Sequence, residues 1–195
     1  MIERDARPKR GVARLTSLLA VRRDRYERAG FLLYAAAVRA ARAPFLYAEL
    51  GVPDTLDGRF DLIGLYAFLL IERLRLAPAP GPALAQAVFD AMFSDMDVAL
   101  REMGVGDLSV GKKVRVMWNA FHGRARAYAA PTEARDVEAL EAAITRNVWR
   151  GRPPPPGAGG RLARLALAEH DQLAGQLLSG LAEGFVSFLD PGSTI

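Results

Sequence analysis

The 195-residue chain is long enough for one ordinary domain with a real core and too short for two comfortable ones. Hydrophobic residues make up 51% and charged residues 25%, a folded composition, and the hydrophobic half is mostly Ala and Leu, which favour helices over strands. The absence of cysteine excludes a disulfide framework, a thiolate metal site and a cysteine nucleophile, while a net charge of +4 carried mostly by Arg says little about nucleic acid.

Met1 to Arg25 mixes Arg and Lys with Glu3, Asp5 and Asp24. It reads as a variable segment (1–23), not as a secretory signal or a mitochondrial presequence. A short amphipathic stretch at 12–21 leads into a predicted helix over 24–42. Pro44 interrupts, 45–50 adds one turn, and 51–58 is a turn-rich loop. The helix predicted over 60–76 is apolar almost all round until Glu72, Arg73 and Arg75, which puts it at the centre of a bundle. Its closing arginines suit the negative end of the helix dipole. The two clean apolar runs, 29–38 and 62–71, are each about half the ~20 residues of a membrane span.

After the Pro-rich break at 78–82, a helix over 83–103 carries Phe89, Met92, Phe93, Met96, Leu100 and Met103 at helical spacing. Gly104 and Gly106 end it, and a helix over 109–128 follows. Pro131 marks the next boundary, before a helix over 132–149. Residues 151–160 read as a Pro/Gly linker, extended first and flexible afterwards. A helix over 161–181 and an apolar turn at 185–189 complete the chain. The expected organisation is a helical domain (24–150), the linker, and a C-terminal extension (161–195) docking back on the bundle. The fold class is all-α, a single compact bundle of about six to eight helices around a central apolar one.

The helix over 109–128 presents Val110, Val114, Met117, Phe121, Ala125 and Tyr128 on one face. Its opposite face carries Lys112, Arg115, Asn119, His122 and Arg126, with Lys113 and Arg124 flanking the apolar stripe. The preceding segment is acidic, with Asp90, Asp95, Asp97, Glu102 and Asp107 against Arg101. Lys113 and Arg124 therefore have neighbours to pair with inside the molecule. Lys112, Arg115, Asn119, His122 and Arg126 form a strip that is either a solvated face or a contact for an acidic partner or RNA phosphates.

Catalytic patterns are missing: there is no Gly-rich phosphate loop, nucleophile elbow or paired-carboxylate spacing. His122 and His170 lack the companions of a metal site, so no metal and no cofactor is predicted. A Met/Phe stripe with His170 leaves room for a bundle that binds a hydrophobic ligand or haem, although a core stripe is the plainer reading.

Three stretches together resemble the ubiquinol–cytochrome c chaperone family. They are Tyr47-Ala48-Glu49-Leu50-Gly51-Val52-Pro53-Asp54-Thr55 with Asp57-Gly58-Arg59-Phe60-Asp61, the acidic run from Phe89 to Asp97, and the unit from Leu100 to Tyr128. The resemblance covers roughly 33–149, in family order, and its form is of the kind found in alphaproteobacteria. It implies an all-helical, non-enzymatic assembly factor for respiratory complex III whose client is cytochrome b or another complex III subunit. Mitochondrial relatives work with a small helical partner at the ribosome exit, so a ribosome contact and a peripheral place at the inner membrane are implied as well, with no membrane span and no DNA. It marks Asp97, Arg101, Glu102, Gly104, Gly106, Asp107, Lys113, Phe121, Gly123, Arg124 and Tyr128 as signature positions that hold the fold. The strip of Lys112, Arg115, Asn119, His122 and Arg126 is the candidate partner contact.

Overall fold

In the computed structural model, which describes the backbone of residues 10–194 and the side chains of residues 26–192, the helical periods of the sequence become helices in order. They are α1 (Arg10–Ala41), α2 (Pro44–Ala48), α3 (Leu56–Arg75), α4 (Gly81–Glu102) and α5 (Asp107–Ala134), then α6 (Val137–Val148), α7 (Ala158–Ala174), α8 (Leu178–Ala182) and α9 (Pro191–Thr194). The described residues contain no strand. Most of the segment read as variable (1–23) lies outside what can be described, apart from the backbone of α1. That helix runs unbroken through the amphipathic stretch and the predicted helix behind it.

The apolar helix is central, as its lack of a polar face requires. Leu62, Leu65, Tyr66, Ala67, Phe68, Leu69 and Leu70 of α3 are all buried, and α3 touches α1, α4, α5, α6 and α7. Each of the buried leucines and Phe68 contributes about 1.5–3 kcal/mol relative to exposure. Thr55 caps α3 by accepting the Gly58 N–H at 3.1 Å. At the other end Arg73 donates to the Leu173 and Gln176 carbonyls at 2.9 and 3.0 Å, tying α3 to the end of α7. The long α1 lies against α4, and Gly30 permits the approach. A Cβ there would sit 2.6 Å from the Ala87 backbone.

Three expectations fail locally. Pro131 does not end α5; the helix runs through it to Ala134 and stops where Arg135 turns left-handed (φ 54°). An interior Pro costs a helix about 3 kcal/mol. Here the helix continues along the face that buries Phe121 and Tyr128 and adds Thr132 to it. Gly159 and Gly160 are not flexible linker: both are buried in the first turn of α7. A Cβ on Gly159 would lie 2.7 Å from Thr145 Oγ1 and 2.9 Å from Glu141 Oε1, so the two glycines serve the close packing of α7 on α6.

The apolar turn predicted at 185–189 is an extended strap. Gly184 (φ 89°) breaks the helical path, and side chains take over the backbone's hydrogen bonds. Gln176 accepts the Ser187 N–H at 2.9 Å and donates to the Ser187 carbonyl at 2.7 Å. Both oxygens of Glu169 lie 3.1 Å from the Leu189 N–H they accept. Phe188 then meets Tyr66 edge-on, ring centroids 5.5 Å apart.

Candidate partner-binding site

Between α1, α3, α4, α5 and the end of α6 lies an open groove of about 900 Å³. Its floor is apolar: Phe60 and Ile63 from α3, Met96 and Leu100 from α4 with Met103 just past its end, and Val116, Met117 and Ala120 from α5. The methionines of the predicted stripe thus divide, with Met92 fully buried in the core and Met96 and Met103 facing the groove. Around this floor stand Arg42, Arg59, Lys112, Lys113, Arg146 and Arg150.

At the inner end the groove reaches a buried ion network. Arg124 Nη2 lies 2.5 Å from Asp61 Oδ1, and the guanidinium carbon sits 5.2 Å from the centroid of the Phe60 ring. Arg150 donates to Asp61 at 2.8 Å and to Asp57 at 2.7 Å. Burial pushes the Asp61 carboxyl up from its ordinary range, while the hydrogen bond from Arg150 and the charges of Arg124 and Arg150 pull it down. Arg124 keeps Nε and Nη1 buried without a hydrogen-bond acceptor among the described residues, and burial raises the neighbouring Tyr128 hydroxyl while the charge of Arg124 and a hydrogen bond from Asn147 pull it down. At the α1 side Tyr34 donates to Asp95 at 2.8 Å.

The signature residues are spread over these features. Arg101 bridges Asp97 (2.7 Å) and Asp107, spanning the turn from α4 to α5, where Gly104 takes a positive φ of 80°. Gly106 starts α5 without a side-chain cap. Phe121 and Tyr128 are buried in the core, whereas Gly123 has open space around it. The anticipated pairing of α4 acids with α5 cations is not what forms. Asp90 accepts from Gln86, Asp95 from Tyr34 and Asp97 from Arg101, because each has a nearer donor on its own helix or on α1. Arg124 turns instead to α3. Lys113 makes no ion pair among the described residues and lines the groove, and Glu102 is exposed.

The predicted strip also divides. Lys112, Arg115, Asn119 and Arg126 are exposed, and of these only Lys112 lines the groove. His122 is half-buried and stacked on Trp118 at 3.8 Å, with Phe89 and Phe121 edge-on at 5.5 and 5.7 Å. Its Nδ1 lies 3.0 Å from the Trp118 carbonyl, the geometry of a donated hydrogen bond. His170 sits on α7, away from the groove methionines, 3.6 Å from the Asp171 carboxylate. Among the described residues no three His, Asp or Glu side chains converge as metal ligands. Nor is any described helix long and apolar enough to cross a membrane.

The sequence reading missed Asp61, Arg150 and Glu169 as charged residues holding the core. Asp61 carried a signal, an acid placed immediately before the apolar run of 62–71. Arg150 and Glu169 carried none, since their partners lie 89 and 20 residues away.

The family model of the ubiquinol–cytochrome c chaperones matches residues 48–188 of this chain. The chain belongs to that family. A crystal structure of the Cbp3 homologue from Brucella abortus is similar over 92% of this chain and 98% of that one, with 34% identity and a TM-score of 0.79. No curated protein matches at a significant level. The family match runs beyond 149, where the motif resemblance ends, to 188, so α7, α8 and most of the strap lie within it. The groove and the Asp61–Arg124–Arg150 network lie inside the same range, apart from Tyr34 and Arg42 at its α1 edge.

Proposed function

We propose that the protein is a non-enzymatic assembly chaperone for ubiquinol–cytochrome c reductase, respiratory complex III, which holds newly made cytochrome b. Membership of a chaperone family carries this reading and implies that the partner is a protein. The groove supports it physically. A chaperone needs apolar surface left open in the folded state, and here a concave apolar floor stays open between α1, α3, α4, α5 and the end of α6. Methionine side chains suit that task, because their flexible thioethers adapt to differently shaped apolar partners. Holding requires no bond chemistry, in keeping with the absence of a catalytic constellation from the motifs. The reading expects the protein in the cytoplasm, peripherally at the inner membrane where its client inserts.

Deletion of the gene tests this reading. The expected result is loss of haem-loaded cytochrome b and of assembled complex III, restored by the intact gene. Normal levels of both in the deletion strain would refute it.

A second reading is favoured by one observation: Lys112, Arg115 and Arg126 are exposed along α5 without ion pairs among the described residues. Such a row fits ribosomal RNA phosphates, and contact with the ribosome would bring the chaperone to its client early. Co-sedimentation with ribosomes that falls steeply with salt, and is lost on reversing Arg115 and Arg126 to Glu, is the expected result. Unchanged co-sedimentation of that variant would exclude the role.

A further inference from the structure

We propose that the groove takes an apolar segment of the partner protein that carries a carboxylate, and that this carboxylate docks at the inner, Arg124 end. The proposal rests on the client-holding reading and specifies what the client must present.

Charge balance at the groove is lopsided. Seven cationic side chains line it against two acids, Asp57 and Asp95. Some of that charge is already answered: Arg150 holds Asp57 and Asp61, Arg59 holds Asp54, and Arg124 holds Asp61. Arg42, Lys112, Lys113 and Arg146 have no counter-ion among the described residues, although all four line an apolar floor. A purely apolar occupant would desolvate these cations with nothing in return, which disfavours it. An occupant with an acidic group within its apolar run satisfies both floor and rim.

Arg124 supplies the second, independent observation. Its side chain is 12% exposed, yet Nε and Nη1 have no acceptor among the described residues. Arg124 lines the groove at the end where Asn147 and Arg146 also contribute. Buried N–H groups left without acceptors are costly, so a small shift of the Arg124 side chain toward an arriving carboxylate oxygen gains what the free protein lacks. Asp61 occupies only one corner of the guanidinium fork.

The concave shape and apolar floor favour a protein segment over the alternatives. A membrane surface needs a convex or flat apolar patch, and single-stranded RNA needs stacking faces, whereas this floor is mostly aliphatic and thioether. A helix or extended segment laid between α3, α4 and α5 fits it.

The test uses the full chain and overlapping fluorescent peptides covering cytochrome b, each acid-containing peptide paired with its Asn/Gln counterpart. The peptides that bind are expected to be apolar with one or more acids, and their amide counterparts to bind about tenfold more weakly or worse. Lys113→Glu with Arg146→Glu, both on the surface, should weaken the acidic peptide about tenfold and leave the amide form little changed. Arg124→Lys, which keeps the charge but loses the fork, should weaken the acidic form selectively. Equal binding of acid and amide forms, or indifference to the surface reversals, would overturn the proposal. Phosphatidylglycerol vesicles that bind through the same residues while no peptide does would overturn it in favour of a membrane. If intact cytochrome b co-purifies but groove variants bind it normally, the groove assignment falls while the chaperone reading stands. If cytochrome b never co-purifies, the chaperone reading itself fails.

Discussion

Arg124 of α5 meets Asp61 of α3 at 2.5 Å, in a contact where the carboxylate has no solvent exposure at all. The pair locks the groove's two long walls together. Removing one partner of a buried pair leaves the other charge desolvated, which costs about 3–5 kcal/mol. Asp61→Asn should therefore lower the unfolding free energy by about that amount, measured by urea denaturation. Asp61→Leu combined with Arg124→Met, which removes both charges, should recover much of the loss. Equal loss in the double and single variants would show that packing, not charge, holds this junction.

Glu169 makes stability depend on pH. Burial raises its carboxyl from 4.5 to about 7, opposed by the hydrogen bond from the Leu189 backbone. The folded state thus favours the protonated form. Its contribution is full below about pH 4.5 and declines as pH rises through about 7, reaching a penalty of about 3 kcal/mol above that. Tyr66, whose buried hydroxyl is raised mainly by burial and further by this carboxylate, faces the same spot. Glu169→Gln should be more stable than the parent at pH 8, with the difference shrinking toward pH 5. A pH-independent difference in melting temperature would contradict the assignment.

Two glycines should respond to alanine with opposite signs. At Gly30 the helix gains about 1 kcal/mol from alanine, but the new Cβ lies 2.6 Å from Ala87 backbone atoms, which cannot yield as a side chain can. Overpacking of this kind costs about 1–3 kcal/mol, so Gly30→Ala should destabilise. At Gly123 nothing lies within 4 Å, and alanine should stabilise by about 0.5–1 kcal/mol. Thermal unfolding of the two variants checks both; the same sign for both would be inconsistent with the α1–α4 packing.

Arg101 holds two acids across the α4–α5 turn, but all three side chains are well exposed: 48% for Arg101, 40% for Asp97 and 85% for Asp107. Exposed pairs contribute about 0.2–1 kcal/mol and are screened by salt. Arg101→Ala should lower the melting temperature only slightly at low salt and less still at high salt. A large drop would mean that this signature arginine does more than bridge a surface turn.

Local chemistry made much of this legible from the sequence. The apolar run of 62–71 could only be a central helix, and Gly104 with Gly106 could only separate two. Where tertiary packing competes with a local rule, the rule gave way: Pro131 stays helical along the face that buries Tyr128 and Thr132, and Gly159 and Gly160 pack against Glu141 and Thr145. The groove was half legible. Lys112, Lys113 and Arg124 were singled out for their charge, but that Lys113 stands free while Arg124 is buried against α3 depends on where α3 lies. Arg150 and Glu169 depend on partners remote in sequence, and no periodicity reports those.

Affinity purification of the tagged full-length protein from gently solubilised membranes of its own host tests the central claim most directly. The account predicts that cytochrome b co-purifies, and that Lys113→Glu with Arg146→Glu depletes it without unfolding the chaperone. Recovery of the folded protein without cytochrome b would contradict it.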